Sequence, residues 1–176
     1  MRVEVSGRDL RVRVRQASDV AACIDLLWRV HQGDSYPARW PNNPVAWLTP
    51  SRQERAWIAT GPGGAVVGHV ALFSLARHPM SEICVAATGL PEQRLAVLSR
   101  LLVDPPMRGR GVARALVHAL ETHAHSEGRR PVLDVGQYNT AAIALYEHLG
   151  WQRVGELGQG PTRDIPVYVY AGPSVP

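Results

Sequence analysis

The chain has 176 residues, 45% of them hydrophobic, and a formal charge of +4; this is enough apolar side chain for one domain over residues 1–176, with no run near the ~20 apolar residues of a membrane span. All 19 residues in the Lys+Arg count are arginine, which excludes a pyridoxal Schiff base, a lysine nucleophile and a GxxxxGK[ST] phosphate loop, since each needs an ε-amine. The arginines are dispersed, so no nucleic-acid partner is expected, and Met1 to Ser6 lacks the apolar stretch of a signal peptide, so a soluble cytoplasmic protein is expected.

In chain order, Leu10 to Arg15 alternates apolar and charged residues, the period of a half-buried strand. Ser18 or Asp19 then caps a run carrying Val20, Cys23, Ile24, Leu27 and Val30, which predicts a helix closing at Gly33. Ser35 to Pro50 holds four prolines, two asparagines and the aromatics Tyr36, Trp40 and Trp47, the composition of a loop with at most short helical turns. Arg55 to Thr60, the turn Gly61-Pro62-Gly63-Gly64 and Ala65 to Leu75 read as a β-hairpin with a long second arm. Residues 76–92, with Pro79, Gly89 and Pro91, read as another loop. Leu95 to Val103 is a buried strand stopped by Asp104-Pro105-Pro106. Val112, Leu116, Ala119, Leu120 and Ala124 recur at helical spacing up to Gly128. Pro131 to Val135 is a short strand, Asn139 caps a compact helix through Ile143, Tyr146 and Leu149 that stops at Gly150, and residues 151–155 and 165–171 supply two last strands. With no repeat or linker, this alternation predicts an α/β fold built on a sheet of mixed direction.

Cys23 and Cys84 stand 61 positions apart with no CxxC, and the seven histidines show no HExxH or paired spacing. Neither a metal site nor a disulfide framework is expected. The informative segment is Arg108-Gly109-Arg110-Gly111, at the joint between a strand and a helix. A helix start offers unpaired N–H groups and the positive end of a dipole, and glycines there let the backbone approach a diphosphate. A dinucleotide fingerprint would require glycine where Arg114 stands, at a point where helix and strand pack closely. A nucleotide-binding domain is therefore disfavoured.

Arg108-Gly109-Arg110-Gly111-Val112-Ala113 resembles the acetyl-CoA loop of the GCN5-related N-acetyltransferases, Gln/Arg-x-x-Gly-x-Gly/Ala, at all six positions. Leu101-Leu102-Val103-Asp104-Pro105 resembles the family's fourth strand. Asn139 to Glu147 with Leu149-Gly150-Trp151 resembles its second conserved segment, in the same order and spacing. The resemblance implies a mixed, mainly antiparallel central sheet flanked by helices and an acetyl-CoA cosubstrate. It also implies that the amides of Arg108, Gly109, Arg110, Gly111, Val112 and Ala113 hold the pyrophosphate. Leu101, Leu102 and Val103 would pair their backbone with the pantetheine arm, with Asn139 near it.

By the same resemblance Tyr146 protonates the departing thiolate. A phenol with an ordinary pKa of ~10 stays protonated at neutral pH and lies above the ~8.5 of a thiol. Periodicity alone reads Tyr146 as a core residue. Asp134 falls five residues before Asn139, where family members that acetylate ribosomal-protein N-termini carry an acidic proton acceptor. It is the first candidate for the base; Glu82, Glu92, His69 and His78 stay open. The Tyr36, Trp40 and Trp47 loop falls where the family builds part of its acceptor pocket, and the rings serve equally to staple the loop to the core. The expected activity is N-acetyl transfer to a small-molecule amine or a peptide N-terminus, with no membrane partner and with a homodimer open. The alternative is a non-catalytic acyl-CoA-binding sensor that keeps the loop without a base.

Overall fold

Alternation of valine and arginine builds β1 (Arg11–Val14), in which only Val12 is buried. The computed structural model describes residues 10–34, 36–158 and 165–174, so the first residues, on which the expectation about a leader rests, lie outside it. After β1, a 3₁₀ turn at Ala17–Asp19 runs straight into α1 (Val20–Asp34). The expected cap is displaced: Asp19 sits inside this turn, where its carboxylate accepts the Gln16 N–H at 2.7 Å. It also takes both arms of the Arg13 guanidinium at 2.7 Å each. α1 runs through Gly33 to Asp34, one residue further than its glycine suggests. The proline-rich segment keeps one short helix, α2 (Pro44–Leu48), capped by the Asn43 side chain accepting the Ala46 N–H.

The hairpin forms as expected, from β2 (Gln53–Thr60) and β3 (Val66–Ser74). Residues 76–92 depart from the expectation of a loop, because α3 (Ser81–Thr88) lies within them. Pro79, which precedes the N-cap Met80, and Gly89, the C-cap, read as loop punctuation but flank this helix. Gly89 takes the left-handed conformation (φ +67°) and its N–H returns to the Val85 carbonyl at 3.0 Å, a glycine C-cap. Then come β4 (Leu95–Val103), α4 (Val112–Ser126), β5 (Arg130–Gly136), α5 (Thr140–His148), β6 (Gln152–Leu157) and β7 (Val167–Ala171).

The seven strands form one mixed sheet in the order β1-β2-β3-β4-β5-β7-β6, mostly antiparallel and flanked by helices, the class expected from the sequence. β1 lies antiparallel to β2, from Arg11↔Thr60 to Val14↔Trp57. β4 pairs with β5 in parallel over Leu95↔Arg130, Ala96↔Pro131 and Val97↔Val132. β5 and β6 each pair antiparallel with β7, and β6 carries a register shift between Arg153 and Gly155.

The backbone groups into two compact units, Met1–Leu72 with Arg100–Leu120, and Phe73–Ser99 with Glu121–Pro176. In the first, Cys23, Leu26, Leu27 and Val30 of α1 bury against Leu48, Ile58, Val66 and Leu102, and Tyr36, Trp40 and Trp47 pack on the edge of that cluster. α4 approaches β3 at Gly68, where an added Cβ would stand 2.7 Å from Val112 Cγ1 and 2.8 Å from Leu116 Cδ1. In the second, α3 packs on β6 with Ile83 over Gly155, where a Cβ would meet its Cγ2 at 2.6 Å. Trp151 donates from Nε1 to Glu121 at 2.7 Å, and the Tyr170 hydroxyl donates to Glu147 at 2.8 Å.

Gly68→Ala should cost ~1–3 kcal/mol, read as a lower denaturant midpoint at unchanged slope, because a stiff valine and the helix behind it must retreat. The displaced start of α4 should also weaken any ligand held there.

Candidate active site

The joint between β4 and α4 consists of a 3₁₀ turn at Pro105–Met107, then Arg108 to Gly111, then the helix. Gly109 has φ +70° and Gly111 φ +80°, conformations that cost other residues ~1–2 kcal/mol each. No atom lies within 4 Å of a Cβ built at either position. The glycines therefore answer a backbone need on an open face, and packing does not require them. The helical ladder starts with Ala115 N–H on the Gly111 carbonyl at 3.0 Å. The amides of Val112, Ala113 and Arg114 precede it, as the first N–H groups of any helix do, at the positive end of a 15-residue dipole. Residues 108–111 are exposed, so this nest of amides faces outward. Such a group of unpaired amides at a helix start is of the kind that accepts an anion.

Arg108 itself has another task. Its guanidinium grips the Asp34 carboxylate with both arms, Nη1 to Oδ1 at 2.9 Å, and reaches the Val103 carbonyl at 3.4 Å. The side chain thus ties the loop to the end of α1. Arg29 braces the same turn, donating from Nε to Asp104 at 3.0 Å and from Nη2 to the Val66 carbonyl at 3.2 Å.

On β4, Leu102 is fully buried in the first unit's core, while Leu101 and Val103 are half-buried. Asp104 N–H bonds the Val67 carbonyl at 2.9 Å, holding the strand's end to β3. Just before these residues Arg100 takes φ +56°, a left-handed residue inside a strand. Its carbonyl accepts from His69 Nδ1 at 3.0 Å, and its guanidinium carbon lies 4.5 Å from the centre of the Trp47 ring. Arg15 Nη1 sits 3.0 Å from His69 Nε2 and 2.8 Å from the Leu48 carbonyl.

These contacts determine the imidazole's state. An arginine can only donate, so Nε2 accepts and Nδ1 carries the hydrogen given to the Arg100 carbonyl. His69 is fully buried, and burial pushes its pKa down to about 4, with the neighbouring arginines adding to the effect. Both ring nitrogens are committed at neutral pH, the Nε2 lone pair to Arg15 and the Nδ1 hydrogen to the Arg100 carbonyl, so His69 is poorly placed to act as a base there. Arg100 is pulled down to about 10, first by burial and then by Arg15 and Arg52, while Tyr36 acts the opposite way. It remains charged at neutral pH. Reading the sequence as a plain buried strand missed Arg100; the signal was Ser99-Arg100 interrupting the apolar run from Leu95 to Val103.

The remaining candidates lie in the second unit. Asn139 caps α5 by accepting the Ala142 N–H at 3.1 Å. Tyr146 is buried at 5% exposure, its ring 5.5 Å from that of Trp151 and tilted by 50°. Asp134 is half-buried on β5 opposite Val169. It is close enough to Cys84 to add to the burial that raises that thiol to about 12. Glu92 accepts the Ser81 hydroxyl at 2.5 Å, Glu82 is exposed in the first turn of α3, and His78 Nδ1 accepts the Met80 N–H at 3.4 Å. Thus Leu101 to Val103 and Arg108 to Ala113 belong to one unit, and Asp134, Asn139 and Tyr146 to the other. Among the described residues no group of three His, Cys, Asp or Glu side chains could hold a metal ion, and both cysteines are buried and free.

Residues 20–151 match the model of the Acetyltransferase (GNAT) family. The N-alpha-acetyltransferase RimI of Mycobacterium tuberculosis is 31% identical over 139 residues, covering 78% of this chain and 75% of that protein. Among solved structures, the ribosomal-protein-S18-alanine N-acetyltransferase from Escherichia coli is similar at TM-score 0.67 over 93% of both chains, with 22% identity. Arabidopsis thaliana NAA60 in complex with acetyl-CoA reaches TM-score 0.70 over 92% of this chain and 97% of that one, with 19% identity. The two structural likenesses carry the fold alone.

The neutral His69 has a consequence for stability. Its pKa is near 4 in the fold against ~6.5 when unfolded, so between these values the unfolded chain binds more protons. Its contribution is fully present above pH 6.5 and is lost as pH falls toward 4, to a limit of ~3 kcal/mol. Urea midpoints measured across that window should drop with acidification, and His69→Gln should remove this share of the slope.

Proposed function

The chain belongs to the acetyltransferase (GNAT) family and is an acetyl-CoA-dependent acetyltransferase; on that premise we propose that it acetylates a primary amine by direct transfer, without a covalent enzyme intermediate. The observation that carries this reading is the pair of left-handed glycines, Gly109 and Gly111, ahead of α4. Acetyl-CoA, when bound, supplies the activated acetyl group. The amides of residues 108–113 hold its diphosphate, with Arg108 acting on the loop's position through Asp34. The main chain of Leu101, Leu102 and Val103 pairs with the amide-bearing arm, as a strand edge does with an extended peptide, and one of its N–H groups polarises the acyl oxygen. Asn139 keeps its amide N–H groups for the same arm, because its carbonyl oxygen is spent on the cap.

Tyr146 is assigned the proton delivered to the departing thiolate, and Asp134 the proton removed from the amine. Both assignments rest on the order and spacing of the motifs. The amine must be neutral to attack. With no lysine in the chain, the enzyme offers no ε-amine of its own to compete with the acceptor.

Acetyl-CoA should raise the melting temperature of the wild-type protein, by mass action on the folded state. Gly111→Asp should abolish that shift, since it puts a carboxylate and a strained backbone where a diphosphate meets amides. A folded Gly111→Asp protein that still binds would refute the loop assignment. Arg108→Ala should weaken binding less. Tyr146→Phe keeps the ring and its packing on Trp151, so it should bind acetyl-CoA nearly normally and turn over ~100-fold more slowly, the usual scale of general acid catalysis. Thiol release and affinity measured on one preparation separate this from a core role, for which turnover would be unchanged.

A further inference from the structure

His69 is fully buried on β3; its Nδ1–H donates to the Arg100 carbonyl of β4 at 3.0 Å while its Nε2 accepts from Arg15 Nη1 at 3.0 Å. Arg15 is itself fixed. Its Nη1 also donates to the Leu48 carbonyl at 2.8 Å, and the Gln53 side-chain amide accepts from its Nη2 at 2.8 Å and donates to that same carbonyl at 2.6 Å. The imidazole therefore has a firm support behind it and a backbone carbonyl in front of it. That carbonyl belongs to a residue at φ +56° inside a strand, a conformation that costs free energy at a non-glycine residue and persists only where its surroundings enforce it. What this geometry sets is the peptide that follows. A trans peptide is planar, with its C=O and N–H pointing in opposite directions, so holding the Arg100 carbonyl on the imidazole turns the Leu101 N–H away from His69. The hydrogen bonds also run in one sense, from the Arg15 cation through the imidazole to the carbonyl, and such a chain polarises its members in turn. The last member is the peptide whose N–H is that of Leu101.

We propose that His69 is a positioning residue for acetyl transfer: through the Arg100 carbonyl it aims and polarises the Leu101 N–H as the donor to the acyl oxygen of acetyl-CoA. This rests on the acetyltransferase reading and assigns, within it, both the donor on the segment Leu101 to Val103 and the side chain that holds that donor. Attack of the amine moves negative charge onto the acyl oxygen, and a donor already pointed at that place stabilises the charge without reorganising. A donor free to turn loses part of the effect, and a misplacement of about 1 Å can cost about 100-fold in rate. His69 itself takes no proton and touches no substrate; its influence passes through one peptide.

Two substitutions separate this role from packing. His69→Asn places an amide N–H near the position of Nδ1–H and so keeps a donor for the Arg100 carbonyl, whereas His69→Leu fills the space without one. Both lose the Nε2 acceptor for Arg15, so both should lower the urea midpoint, and the midpoint alone does not distinguish them. The infrared stretch of bound acetyl-CoA, isotope-labelled at the thioester carbonyl, does so and needs no acceptor. In the wild type it should lie below its frequency in solution; His69→Asn should keep most of that displacement and His69→Leu should lose most of it. With an amine that is turned over, His69→Leu should lower kcat by about 10-fold or more while KM for acetyl-CoA stays within about twofold, and His69→Asn should restore most of kcat. Should His69→Leu not fold, amide proton spectra of the wild type decide: on addition of acetyl-CoA the Leu101 proton should move downfield, and further than those of Leu102 and Val103. An unshifted carbonyl in the bound wild type, a displacement that survives His69→Leu or is lost equally in both variants, or a Leu101 proton that does not move overturns the role given to His69 alone. Failure of the wild type to bind acetyl-CoA overturns the acetyltransferase reading, and this inference with it.

Discussion

The buried imidazole of His69 has one hydrogen-bonding solution, and much of the first unit is arranged around it. Arg15 follows β1, Leu48 ends α2, His69 lies on β3 and the Arg100 carbonyl belongs to β4, so a few contacts join four elements. Because the guanidinium can only donate, the ring must accept on one side and donate on the other, which fixes its tautomer and keeps it neutral at neutral pH. A half-satisfied network at this depth would be costlier than an apolar core of the same shape. The carbonyl held by His69 is that of the one β4 residue in the left-handed region, so the imidazole steadies the place where the strand's backbone turns unusual.

Beyond that point the strand delivers its end to the helix that follows. Leu102 buries its side chain, Asp104 is held on β3, and Arg29 and Arg108 brace the turn onto α1 and the strands. Arginine therefore serves here mainly as scaffold. The anion binding we propose for the loop rests on amides, whose direction is set by two left-handed glycines and whose field comes from the helix. This division suits a ligand with a diphosphate: main-chain donors are already oriented and lose little freedom when the ligand arrives, whereas long side chains would have to be ordered first.

In the second unit the same economy of roles recurs. Asn139 caps the start of a helix while retaining donors of its own, and Tyr146 contributes its ring to packing against Trp151 while its hydroxyl is the group we propose for proton delivery. Residues of this kind satisfy structural and functional patterns at once, and periodicity alone cannot separate the two.

The sequence by itself determined the secondary structure over most of the chain, the glycine loop and its family, because these depend on local rules: alternation for β1, helical spacing for α4, an asparagine cap for α5, and glycine where a left-handed turn opens a helix. It misplaced α3, where Pro79 and Gly89 read as breaks although they flank the helix; a short helix carries too few turns for its periodicity to outweigh such punctuation. Only the tertiary structure decided that Arg108 clamps Asp34, that His69 is neutral with both nitrogens engaged, and that Arg100 lies over Trp47. Each of these joins residues 31 to 74 positions apart, and a side chain's charge state and aim are set by the neighbours that folding brings to it, which no local pattern records.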